Sequence, residues 1–308
     1  MAAVTAAMVK QLREMTGAGM MDCKKALTAV EGDMDKAVEF LREKGLAAAA
    51  KKAGRIAAEG LVKTLVQDDK KAVVVEVNSE TDFVAKNADF QTYVQQVAEQ
   101  ALNTTAADLD AFLAEPWALE PEKTVAQELS SKIAVIGEKL SIRRFEQVEA
   151  EDGCVVAYTH GGGRIGVLVQ AECAVVNDEV KEALKNVAMQ IAALRPQYVC
   201  RDEMSEEFIA KEKSILKTQA MNENPNKPEN IIDKMIIGRL NKELKEFCLL
   251  DQAYVKDGDL TVAKYLQQVS KQVGSPITVK RFVRYETGEG MQKKEENFAE
   301  EVAKQIGK

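Results

Sequence analysis

The chain is poor in histidine, with His160 alone among 308 residues. A zinc site built on a histidine pair is therefore excluded, and a Ser-His or Cys-His nucleophile would have to form around that single ring. Its five cysteines, Cys23, Cys154, Cys173, Cys200 and Cys248, are odd in number, widely spaced and never arranged as Cys-x-x-Cys. They read as bland thiols, neither a disulfide framework nor a metal knuckle. Positive charge is also short, with 42 Lys and Arg against 49 Asp and Glu and a net charge of -7. Phosphate affinity grows from clustered Lys and Arg that release counterions, so no nucleic acid is expected as a partner. No apolar run approaches the roughly 18 to 20 residues of a spanning helix, and Met1-Ala2-Ala3-Val4 lacks the charged start of a secretion signal. The expectation is a cytoplasmic protein that uses no membrane, no metal, no cofactor and no catalytic residue of its own.

What the chain does have is a composition that is 46% hydrophobic and 30% charged, enough for a core divided among two or more domains. Residues 4–45 read as three short helices. Val4, Met8 and Leu12 are spaced by four, Met21 to Val30 follows, and Asp33 to Lys44 completes the set. Gly17-Ala18-Gly19 and Gly32-Asp33 mark the turns. Asp33 is a fitting N-cap, Ala37, Phe40 and Leu41 form an apolar face, and Gly45 predicts a C-terminal stop. Ala47 to Gly54 then reads as a linker.

Residues 60–77 alternate about Asp68-Asp69-Lys70, the pattern of a β-hairpin. A second hairpin follows with Gly161-Gly162-Gly163 at its turn. Setting Gly60 on Gly153, an offset of 93, also aligns Val62 with Val155, Lys71 with Arg164 and Val74 with Val167. A later correspondence runs at 137 and pairs Thr124-Val125-Ala126 with Thr261-Val262-Ala263, Gly137 with Gly274, and Arg144-Phe145 with Arg281-Phe282. The two offsets imply a duplicated unit whose second copy carries about 44 more residues, between Arg195 and Cys248. Within them Ser205 to Met221 and Ile231 to Phe247 are helical by pattern, separated by Asn222 to Pro228, which predicts a helical hairpin arm. Ile232, Met235, Ile236, Leu240, Leu244 and Phe247 form a stripe expected to exceed what one partner helix covers, a basis either for self-association as a homodimer or for binding a protein partner. Beyond Gly288 and Gly290, Phe298, Val302 and Ile306 recur every four residues, a helix that either docks elsewhere or packs on its own core.

The copies differ most where Glu80-Thr81-Asp82-Phe83 stands opposite Cys173-Ala174-Val175-Val176. Ser79 or Thr81 can cap the helix that carries Phe90, Val94, Val97 and Ala101, which places Asp82 and Phe83 in its first turn. Read from pattern alone, Phe83 is either a core residue at a helix start or an exposed aromatic tip. Three motifs together bear on the choice: Thr-Gly-Ala-Gly-Met-Met-Asp-Cys-Lys-Lys-Ala-Leu at 16–27, Thr-Asp-Phe-Val-Ala-Lys-Asn at 81–87, and His160 through Gly166-Val167-Leu168. Over essentially the whole chain the sequence resembles the elongation factor Ts family.

That resemblance implies an α+β fold with an N-terminal three-helix bundle like a ubiquitin-associated domain (1–54), a core N-subdomain (55–149), a core C-subdomain (150–290) with the helical hairpin inserted at about 199–248, and a C-terminal helical module (291–308). It implies a guanine-nucleotide exchange factor for elongation factor Tu in translation elongation, with no bond chemistry. Thr81, Asp82, Phe83 and Val84 would dislodge the partner's magnesium ion. Lys24, Ile136, His160, Tyr254, Val255, Phe298 and Val302 fall at family positions for partner binding, whereas Lys256 stands where a family member can carry an apolar residue. Two rivals are weaker. Gly161-Gly162-Gly163 joins two strands and is followed by Arg164-Ile165, unlike a phosphate loop that opens a helix. Arg143-Arg144 and Lys280-Arg281, on matching strands of an acidic chain, read as solvated faces and not an RNA site.

Overall fold

A computed structural model describes residues 4–292. The fold is α+β. Three helices come first: α1 (Ala6–Thr16), α2 (Met20–Ala29) and α3 (Met34–Lys52). Thr5 and Asp33 cap α1 and α3 through their side-chain oxygens, and Val9, Leu12, Cys23, Ala26, Leu27 and Ala37 close the bundle's core. Gly45 does not stop α3, which runs on through the expected linker to Lys52. Its lack of a side chain serves a close approach instead, because a Cβ there would lie 3.5 Å from the Ser130 carbonyl and 3.7 Å from the Ala134 methyl of a core helix. Ala37, Leu41, Gly45 and Ala48 define the inward line of α3, and Phe40 falls beside it, exposed. An alanine fits that gap without strain and helices favour it, so Gly45→Ala is expected to raise unfolding free energy by up to about 1 kcal/mol. Gly45→Leu overpacks the same contact and is expected to cost about 1–3 kcal/mol. Urea denaturation of the two variants checks both signs.

The core contains the predicted duplication. Its first copy comprises β1 (Glu59–Gln67), β2 (Lys71–Ser79), α4 (Asp82–Ala85), α5 (Ala88–Asn103), α6 (Leu109–Ala114), β3 (Pro116–Trp117), β4 (Glu120–Thr124), α7 (Val125–Ile136) and β5 (Ser141–Glu149). The second runs β6 (Cys154–His160), β7 (Ile165–Glu172), α8 (Asp178–Leu194), then the arm helices α9 (Glu206–Glu223) and α10 (Glu229–Phe247), then β8 (Ala253–Tyr254), β9 (Asp257–Thr261), α11 (Val262–Val273) and β10 (Thr278–Glu286). Each copy makes an antiparallel three-stranded sheet, in the order β1-β2-β5 and β6-β7-β10. The sheets pack on each other through Val62, Ala72, Val74, Val155 and Leu168. Their outer faces carry the helices, with Val73, Val75 and Val77 under α5 and Val167, Val169 and Ala171 under α8. Central strands buried on both sides explain why Val73-Val74-Val75 does not alternate.

One register expectation is corrected. Leu65 pairs with Val73, and Tyr158 with Val167. Val167 therefore answers Val73, not Val74, and Ile165, not Arg164, answers Lys71, because the glycine turn is one residue longer. The shift moves the comparison at the tip as well. Ser79 now stands opposite Cys173, 94 residues later, while Asn177 caps α8 only 90 residues after Asn87 caps α5. The first copy thus carries four more residues here, and the short helix α4 takes them up.

The arm also departs from expectation. Its stripe is largely covered: Ile232 and Ile236 pack on Leu216 and Ala220, while Leu244 joins Met204 and Cys248 at the base beside Phe208 and Phe247. The exposed apolar side chains lie on other faces, at Ile215, Met221, Ile231 and Ile237. Arg143 and Arg144 do not form a freely solvated face either, being only partly exposed. A bulge in β5 between the partners of Glu76 and Val77 turns both guanidinium groups toward the wholly buried Glu76 carboxylate. That carboxylate also accepts the N–H of Gly288, past the end of β10, at 2.8 Å and so clasps one copy to the other.

Candidate functional site

The tip is a helix of its own. Thr81 ends the extended backbone after β2, and its hydroxyl oxygen accepts the N–H of Val84, capping α4, whereas α5 starts afresh at Ala88 under the Asn87 cap. Asp82 and Phe83 therefore do not belong to the first turn of the helix that carries Phe90, as expected from the sequence. The α4 turn points its apolar residues in two directions. Ala85 is buried and Val84 packs on the subdomain core, while the ring of Phe83 is 80% exposed, the most exposed large hydrophobic side chain among the described residues. A ring so exposed buries little area within its own fold and so adds little to its stability. Asp82 beside it is exposed and accepts from Lys86 Nζ at 2.6 Å. That bond, with the positive charge behind it, holds the Asp82 carboxyl below its ordinary pKa, so it carries a full negative charge at neutral pH.

A cleft of about 230 Å³ runs from Asp82, Ala85 and Lys86 to Gly161, Gly162 and Arg164 of the second copy. The tip and the glycine turn thus share one surface. His160 precedes that turn, exposed, with its Nδ1 3.0 Å from the hydroxyl of Tyr158. Ile136 is half-buried at the end of α7, where it packs on the first-copy core. Lys24 is exposed on α2, on the same helix as the exposed Met20 and Met21. Tyr254 is buried and stacks on Tyr265 with ring centroids 4.2 Å apart, so in this chain its ring faces inward. Val255 next to it is 47% exposed, and Lys256 turns back to Asn186 Oδ1 at 2.6 Å. Phe298, Val302 and Ile306 lie outside the described residues. Burial pushes the Cys154 thiol up to about 12 and the Cys248 thiol up to about 11, which keeps both protonated and unreactive at neutral pH. Among the described residues, no group of three or more His, Cys, Asp or Glu side chains is arranged to hold a metal ion.

The profile of a family described as Elongation factor TS matches residues 80–289, from the base of the tip to the turn after β10. The chain belongs to the elongation factor Ts family. It is 56% identical over 306 residues to elongation factor Ts of Clostridium perfringens strain 13, covering 99% of this chain and 100% of the relative. It is similarly 52% identical over 306 residues to that of Clostridium botulinum strain Eklund 17B, with the same coverage, and 53% identical over 304 residues to that of Clostridium kluyveri strain NBRC 12016, covering 98% and 99%. Membership places the protein among the elongation factors of protein biosynthesis.

Two supports of these surfaces escape sequence reading. Buried Gln190 donates to the Ala253 carbonyl at 2.9 Å and accepts the Val255 N–H at 2.8 Å, fixing the turn that presents Val255. Gln100 makes the same two bonds in the first copy, to Pro116 and Ala118, at 2.9 Å each. The signal was present as a glutamine recurring at the 90-residue offset of α5 and α8, visible once the Asn caps are aligned. The other support is Glu138, whose carboxylate accepts the N–H groups of Glu80 and Thr81 at the root of the tip.

Proposed function

We propose that this member of the elongation factor Ts family is a guanine-nucleotide exchange factor that binds the GDP form of elongation factor Tu and drives GDP out so that GTP can enter, in the cytoplasm and without bond chemistry of its own. The observation that carries the reading is the ring of Phe83, 80% exposed on a capped turn with a charged carboxylate beside it. Phe83 would enter between partner helices. Asp82, with Thr81 and Val84 shaping the turn, would displace the loops that hold the partner's magnesium ion and GDP phosphates. Lys24, Ile136, His160 and Val255 would add contacts along the flanks, and Tyr254 would support Val255 from within. Phe298 and Val302 complete the proposed contact set, and Ile215, Met221, Ile231 and Ile237 are what the arm would offer a second copy.

Linkage sets the scale. A factor that weakens GDP binding is weakened by GDP to the same degree, and a shift of about 10⁴ in affinity needs roughly 5.5 kcal/mol. Burying one phenylalanine contributes about 1.5–3 kcal/mol, so the rest must come from a broad interface, larger than the roughly 1,600 Å² of a standard complex. Release of a fluorescent GDP analogue from elongation factor Tu, chased with excess GTP, is expected to accelerate by orders of magnitude on adding this protein. An unchanged release rate would overturn the reading.

A further inference from the structure

The base of the tip is gripped from the far end of its own subdomain. Glu138 follows Gly137, the left-handed residue that ends α7. Its Oε2 accepts the N–H groups of Glu80 and Thr81 at 3.1 and 3.0 Å, and its Oε1 accepts the Thr81 hydroxyl at 2.7 Å. Glu80 reciprocates, accepting the Lys139 N–H at 2.6 Å. The Lys139 ammonium donates to the carbonyls of Ala53 and Arg55 at 2.7 and 2.8 Å, so the end of the N-terminal bundle enters the same junction.

The duplication supplies an internal control. At the 137-residue offset, Glu138 and Lys139 become Ser275 and Pro276. Ser275 Oγ is buried with no hydrogen-bond partner among the described residues, and a proline has no N–H to donate. In that copy, described residues 173–177 join β7 to α8 without a helical turn. The grip occurs in the copy that has the tip and is missing from the copy that lacks it.

We infer that Glu138 is a positioning residue for nucleotide release: it sets the direction of the tip relative to α7 and the N-terminal bundle. A single helical turn is too short to hold its own axis, and a hydrogen bond to a charged group is stronger than a neutral one. Three such bonds at the root therefore fix where the Phe83 ring arrives. The inference rests on the proposal that the tip is the working element.

The test is stimulated GDP release by the full chain over a range of factor concentrations. Glu138→Ala is expected to lower the maximal release rate about tenfold, the equivalent of about 1.4 kcal/mol, while the half-saturating concentration changes less than about twofold, since the flanking interface is untouched. Glu138→Gln keeps an acceptor oxygen and is expected to fall between wild type and Glu138→Ala. In a Phe83→Ala background, Glu138→Ala is expected to add less than about a twofold effect, because two residues acting through one ring are not additive. Hydrogen exchange at the Glu80 and Thr81 amides, faster in Glu138→Ala and Glu138→Gln, reports the grip directly. A rate equal to wild type in both Glu138 variants, alongside slow Phe83→Ala, overturns the positioning role alone. A full additional loss in the Phe83→Ala background overturns it too, in favour of a general folding role. A Phe83→Ala protein as fast as wild type removes the tip reading on which both depend.

Discussion

Phe83→Ala is expected to slow stimulated GDP release by about 10- to 150-fold while leaving the fold intact. The ring is 80% exposed in this chain, so truncating it removes almost no buried surface from the protein itself. Substitutions of that kind change stability by no more than about 0.5 kcal/mol. In the proposed complex the same ring passes from water into the partner, a transfer of about 1.5–3 kcal/mol, and each 1.36 kcal/mol withheld from the transition state is tenfold in rate. Stopped-flow release with a fluorescent GDP analogue measures the rate, and urea denaturation of the variant supplies the folding control. Asp82→Ala should cost less, because Asp82 is already paired with Lys86. A Phe83→Ala variant that unfolds more easily by several kcal/mol would mean that the ring is a core residue after all.

The largest stability effect is expected at Glu76. Its wholly buried carboxylate accepts from Arg143 at 3.0 and 3.2 Å, from Arg144 Nε at 2.6 Å, from Asn78 at 3.1 Å and from the Gly288 N–H at 2.8 Å. Glu76→Ala leaves that N–H buried without its partner and two guanidinium groups short of their shared anion. Breaking a buried pair from one side typically costs 3–5 kcal/mol, and since water still reaches the edges of both arginines the expected loss is at the low end, about 3 kcal/mol. The midpoint of urea unfolding measures it. Gly288→Ala should weaken the same clasp from the other side, as Gly288 has φ +69° and a Cβ there would come within 2.1 Å of the Ala58 carbonyl. A loss below about 1 kcal/mol for Glu76→Ala would show that solvent replaces the carboxylate and that the clasp does not join the copies.

Hairpins, duplication and arm were legible because their signals are local: glycines and aspartates at turns, Thr and Gly at either end of α7 and α11, and an unbroken offset of 137. The register within the hairpins was not. β2 is buried on both faces, so Val73, Val74 and Val75 are interchangeable to a pattern search, and a slip of one residue goes unseen. That slip hid the four-residue surplus from which α4 is made. Gly45 failed for a different reason. Glycine ends helices by backbone conformation and also lets two helices touch, and only the position of Ala134 on α7 decides between the two. The charges of Arg143 and Arg144 were read as solvated because nothing near them in sequence announces Glu76, their partner in space, just as nothing near Tyr254 announces Tyr265, on which its ring stacks.

A wedge performs work only on whatever is softer than itself. Behind α4 stands β2, closed in on both sides, paired along both edges and bordered by helices, so a load applied at the ring has little inside this molecule to deform. In the proposed complex, elastic energy from docking would then accumulate in the more compliant body, the partner's nucleotide pocket, and the protein would withdraw from each encounter in the shape with which it arrived.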